Sequence, residues 1–140
     1  MVRRTVLILL GAIIGAVAVN AVVAAVAVGA GASASSGPLQ LPVYGALTAL
    51  GVVGGWLGWR AVHRRSARPR AVLAVLVPAV TLVSFVPDLA LLALRFIPDT
   101  GPAAVVALMV MHLVVVAFAV PAYTLATRVP AGSPQPATIR

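Results

Sequence analysis

Residues 5–30 read TVLILLGAIIGAVAVNAVVAAVAVGA, 26 consecutive residues with no charge and one strongly polar side chain, Asn20. At ~1.5 Å per residue such a run, if helical, is long enough to cross a hydrocarbon core of ~30 Å. The same reading applies three more times along the 140-residue chain, because no charged residue falls between Thr5 and Trp59, between Ala71 and Pro87, or between Thr100 and Thr127. Hydrophobic residues make up 62% and charged ones 9%, against ~25% charged in an average soluble domain. Four spans of ~20 residues leave too little chain for a folded domain outside the membrane.

The expected fold is therefore all-α, a four-transmembrane-helix bundle running up-down-up-down, with spans at about 5–30, 41–59, 71–96 and 103–127. The charge-free connector Gly31-Ala32-Ser33-Ala34-Ser35-Ser36-Gly37-Pro38 favours loop over helix. Trp56 and Trp59 fall near the end of the second span, as interface anchors would. Pro98-Asp99-Thr100-Gly101-Pro102 reads as a tight turn in which Asp99 or Thr100 caps the fourth helix. Pro78, Pro87 and Pro121 fall inside the last two spans and are expected to kink them. Residues 129–140, rich in proline and small polar residues, read as a disordered tail. The first segment also imitates a cleaved signal peptide, with Arg3 and Arg4 before it and Ala32-Ser33-Ala34 after it. Its apolar run far exceeds an h-region of ~7 to 15 residues, so a retained helix is expected.

Arginine supplies every basic side chain, and the formal charge is +8. Arg60, Arg64, Arg65, Arg68 and Arg70 crowd one hinge, where His63 reads as a solvated loop residue. Nine arginines flank one side of the four spans and only Arg95 the other, which sets both termini on the cytoplasmic side of a bacterial plasma membrane. The same asymmetry explains the arginines better than nucleic-acid binding does, and it points to anionic lipid head groups as partners of the hinge. With no cysteine, thiolate chemistry and thiolate-held metals are excluded, and two histidines with two aspartates form no metal or cofactor constellation. No catalytic motif is present, and the chain reads as a non-enzyme.

Helix association in lipid rests on close approach at small residues and on interhelical hydrogen bonds. Gly11 with Gly15, Gly51 with Gly55, and Gly54 with Gly58 stand four apart and are expected to pack helices within the bundle or between copies. Strongly polar residues inside spans are costly and need a role. Asn20, Asp88 and His112 lie ~15, ~12 and ~14 Å below the arginine-poor ends of their helices, at one level. The expectation is that Asp88 and His112 touch, with Asn20 nearby and helix 2 at that depth near Leu50 and Gly51. Thr81, Ser84, Asp88 and Arg95 share one face of helix 3, and Tyr123 shares the face of His112 on helix 4. A second reading places Asp88 nearer the surface, capping a short helix that begins after a break at Pro87.

The run Ser84-Phe85-Val86-Pro87-Asp88-Leu89, Asn20 in helix 1, and Leu108-Met109-Val110-Met111-His112 after Pro102-Ala103-Ala104 resemble an actinobacterial family of small four-helix membrane proteins. That family carries a domain-of-unknown-function label. The likeness extends from Thr5 to about Thr127 and implies the four-helix fold. It carries no activity, so no functional residue transfers. The residues favour a structural or partner-binding membrane module; the alternative is a small proton- or solute-translocating unit built on Asp88 and His112.

Overall fold

The computed structural model describes residues 2–94 and 97–128. Within them the fold is all-helical: α1 (Val2–Gly29), α2 (Leu41–Arg65), α3 (Pro69–Leu94) and α4 (Pro102–Thr127), with one 3₁₀ turn at Gly37–Leu39. All four helices are long and apolar enough to cross a membrane. Large apolar side chains such as Ile14, Leu50, Val75 and Val83 are left exposed on every helix, a surface suited to lipid and not to water. The chain is a small multi-pass membrane protein.

α4 is the hub. It runs antiparallel to α1, parallel to α2 and antiparallel to α3, and packs against all three. Its tightest partner is α1, whose buried residues Ala12, Ala16, Asn20, Ala24 and Ala27 recur at every turn. Against them α4 presents small residues of its own, among them Ala104 and Ala107, and Ala16 and Ala104 have no exposure at all. Alanine at each turn lets two backbones approach closely, which is where contact energy comes from when lipid competes for every apolar side chain.

The glycine expectation divides. Phe118 lies over Gly15 so closely that a Cβ there would stand 2.6 Å from the ring. Gly51 faces Val115, and a Cβ on Gly55 would meet the Tyr123 hydroxyl at 2.5 Å. Gly11, Gly54 and Gly58 face open space, so half of the predicted packing glycines pack nothing. These three take no part in packing helix on helix, and the alanine seam carries the packing that Gly11 was expected to share.

Several boundaries also differ. α2 continues six residues past Trp59, so Arg60, His63, Arg64 and Arg65 are helical and the hinge shrinks to Ser66, Ala67 and Arg68. His63 is thus no loop residue: its Nδ1–H donates to the Trp59 carbonyl at 3.0 Å and its ring stacks on that indole. Trp59 is itself turned inward among Val52, Leu73, Ala119 and Tyr123, although it stands where an interface anchor was expected. α3 runs unbroken through Pro78 and Pro87, and α4 through Pro121, so Asp88 belongs to a span and caps nothing. The residue at the α4 N-cap is Gly101, with no side-chain cap. Asp99 is drawn away by Ser35, whose hydroxyl donates to its Oδ2 at 3.1 Å and ties the two connectors of that end together. Arg95 and the 129–140 tail lie outside the described residues.

Candidate functional site

Asp88 lies six residues before the end of α3 at Leu94, on the face that α3 turns to α4, and is only 5% exposed. Across from it, His112 Nδ1 lies 3.2 Å from Asp88 Oδ2. A carbonyl can only accept, so the 2.8 Å contact from His112 Nδ1 to Leu108 O places the Nδ1 proton there. Asp88 Oδ2 is within ion-pair distance but receives no hydrogen bond in this geometry. The Phe85 ring meets the imidazole edge-on at 6.1 Å between centroids. Asp88 is sealed, whereas the His112 side chain is 38% exposed.

Asn20 makes its polar contact elsewhere. Its amide donates to Thr48 Oγ1 at 3.2 Å, joining α1 to α2, and its Oδ1 is buried without a partner among the described residues. The register explains how two clasps share one depth. Gly51 opposes Val115 on a parallel helix, so Thr48, one turn earlier, is level with His112. Gly15 opposes Phe118 on an antiparallel helix, so Asn20 is level with Leu113. One polar layer therefore crosses the bundle as two separate pairs, and helix 2 enters it through Thr48 and not through Leu50 or Gly51. Thr48 carries the one hydroxyl between Leu47 and Val62, which is the signal that could have found it.

The predicted supporting residues take other roles. Thr81 Oγ1 donates to the Val77 carbonyl and Ser84 Oγ to the Thr81 carbonyl, so both hydroxyls are spent on their own helix. Tyr123 sits three turns from His112, and its hydroxyl donates to Val52 O at 2.5 Å. It locks α4 to α2 through the gap left by Gly55, with Trp56 and Trp59 tilted against its ring at 5.7 and 5.5 Å. This aromatic lock is a third clasp, closer to the arginine-rich end.

Among the described residues no group of three or more His, Cys, Asp or Glu side chains could hold a metal ion. Chemically, the Asp88–His112 pair can hydrogen-bond an incoming polar group or hand on a proton, since imidazole and carboxyl groups both form hydrogen bonds as donor and as acceptor. The arginine-rich end gathers Arg60, Arg64, Arg65, Arg68 and Arg70 with Arg128, and Arg60 reaches over the Trp56 ring at 6.0 Å.

Compared with known proteins, the chain belongs to a family of unknown function, DUF6069, whose model matches residues 1–129. No curated protein and no solved structure matches it.

Proposed function

We propose that this family member is a non-enzymatic module of the bacterial plasma membrane that docks a membrane partner through the Asp88–His112 edge of α3 and α4. One observation supports the reading above all: an imidazole 38% exposed at the mid-depth of an apolar span, beside a sealed carboxylate. Lipid chains cannot hydrogen-bond, so polar groups at that depth turn toward protein or water. A second helix laid over this edge, from another copy or from a larger membrane protein, would cover the imidazole and give its Nε2 a partner. The arginine-rich end would then face the cytoplasm, by the positive-inside rule.

A photo-crosslinking residue at position 113, beside His112 and itself exposed, should capture a protein band in intact membranes, and His112→Leu should weaken it. Capture of lipid alone would overturn the docking reading. Wild type and Asp88→Asn should both leave a pH gradient intact in proteoliposomes. A proton flux lost in Asp88→Asn would instead establish the pair as a conductor. Orientation is open to single cysteines in this cysteine-free chain. An impermeant thiol reagent on intact cells should label position 35 and spare position 66; the reverse would invert the topology.

A further inference from the structure

Toward the arginine-rich end α2, α3 and α4 part. Between them lies an apolar groove of about 360 Å³ whose walls include Gly54, Gly58, Leu76, Val80 and Val116. Gly54, Gly58, Leu76 and Val80 are exposed, so the groove opens on the outer surface of the bundle. Trp59, Leu73, Val77 and Val120 line both this groove and a second cavity of about 720 Å³. That second cavity adds His63, Arg70, Arg128, Thr124 and Thr127 to its walls. Each volume falls in the ~300–1,000 Å³ range of ligand sites. Lying side by side on these four shared residues, they make a composite cleft, apolar toward the middle of the bundle and cationic at its mouth.

Length, charge and hydrogen bonding select one occupant. Gly51 to Gly58 rises ~10 Å along α2, so with the basic mouth added the cleft matches one leaflet, half of a ~30 Å hydrocarbon core. The chain has only two acidic side chains, Asp88 in the middle of the bundle and Asp99 bonded to Ser35 at the opposite end. No carboxylate side chain is available to Arg70 or Arg128, and α3 begins at Pro69 with no acidic residue in its first turn, so its N-terminal dipole adds to the positive potential. Where the two cavities meet, the Trp59 indole N–H is buried with no acceptor among the described residues, and an indole N–H can only donate.

We propose that this cleft binds one anionic phospholipid of the leaflet on the arginine-rich side. Its phosphate sits at the Arg70 and Arg128 mouth beside His63, and an acyl chain lies along the glycine face of α2. This differs from diffuse attraction to the many arginines, because Arg64 and Arg65 lie outside the cleft. It also stands apart from the Asp88–His112 edge and does not depend on that edge docking a partner.

Native mass spectrometry of the purified full chain, with dioleoyl phosphatidylglycerol and dioleoyl phosphatidylcholine supplied in equal amounts, tests the site. One phosphatidylglycerol should be retained in preference, and millimolar inorganic phosphate should not displace it. Arg70→Gln with Arg128→Gln should lower its retention about thirtyfold, the loss expected for two arginines near a membrane surface. Arg64→Gln with Arg65→Gln should leave the retained adduct in place. Gly54→Leu with Gly58→Leu fills the groove where no atom stands within 4 Å of either Cβ, and should remove the adduct without lowering the melting temperature. If a variant does not fold, quenching of Trp59 in a Trp56→Phe chain by brominated phosphatidylglycerol, stronger than by brominated phosphatidylcholine, gives the same answer. Equal retention of the two lipids, or a preference that follows Arg64 and Arg65 instead of Arg70 and Arg128, would overturn the proposal.

Discussion

α1 and α3 both lie against α4, yet they are held in different ways. α1 buries a residue at each turn, nearly all alanine, and its one polar residue, Asn20, is only 1% exposed. α3 buries only Leu73, Asp88 and Leu91, carries two prolines in its interior, and leaves most of its valines and leucines outside. Bulky β-branched side chains hold backbones apart, and in lipid they gain little by turning inward. A helix of that kind is kept by point contacts. The α1 side is a seam, and the α3 side is a clasp next to a cleft.

The largest effect should come from opening the seam. Ala16→Leu adds three carbons where there is no exposure, and should cost about 3 kcal/mol or more in unfolding from bicelles, the upper end for overpacking. The same change at an exposed α3 position, Val83→Leu, should be silent; equal losses at both sites would erase the distinction between seam and clasp.

Gly55 and Gly54 make a closer comparison within one helix. Gly55→Ala drives a methyl into the Tyr123 hydroxyl, which is held by Val52 O, and should cost about 1–3 kcal/mol. Gly54→Ala meets nothing and should gain up to about 1 kcal/mol from helix propensity. Thermal unfolding of the two variants side by side decides it, and a loss at Gly54 would mean that this face packs against something.

The α3 clasp should be worth less. Asp88→Ala is expected to cost about 1–2 kcal/mol, because the His112 Nδ1–H keeps its bond to Leu108 O when the carboxylate goes. Asp88→Leu with His112→Leu should recover much of that loss in the same assay. A double variant as unstable as the two single losses combined would show that the residues act separately. Smallest of all is the Asn20–Thr48 bond, for which a double-mutant cycle with Asn20→Ala and Thr48→Val should return a coupling of about 0.6 kcal/mol.

Much of this was legible in the chain. Spans follow from the charge gaps, since a buried charge in lipid is excluded by its cost. The depth of Asn20, Asp88 and His112 follows from helical rise alone, because loops on one side set a common origin for counting. Rotation about each helix axis was another matter. Asn20 was expected near Asp88 and its bond goes to Thr48 on α2; Tyr123 was expected to support the polar face of helix 4 and its hydroxyl is spent on Val52 O. A helix that is apolar all round has no amphipathic stripe to reveal its inward face, so periodicity is silent where it would be most useful.

Length, hydropathy and charge dictate a four-helix membrane protein with one charged end and one polar layer, because they act through the solvent and need no neighbour. Tertiary structure alone decided which small residues are contacts, that the polar layer divides into two pairs, and that α2, α3 and α4 part to leave a cleft. Those outcomes depend on how closely two particular backbones approach, and close approach is a property of the pair: Gly55 is filled by Tyr123 while Gly54, one residue earlier, faces open space.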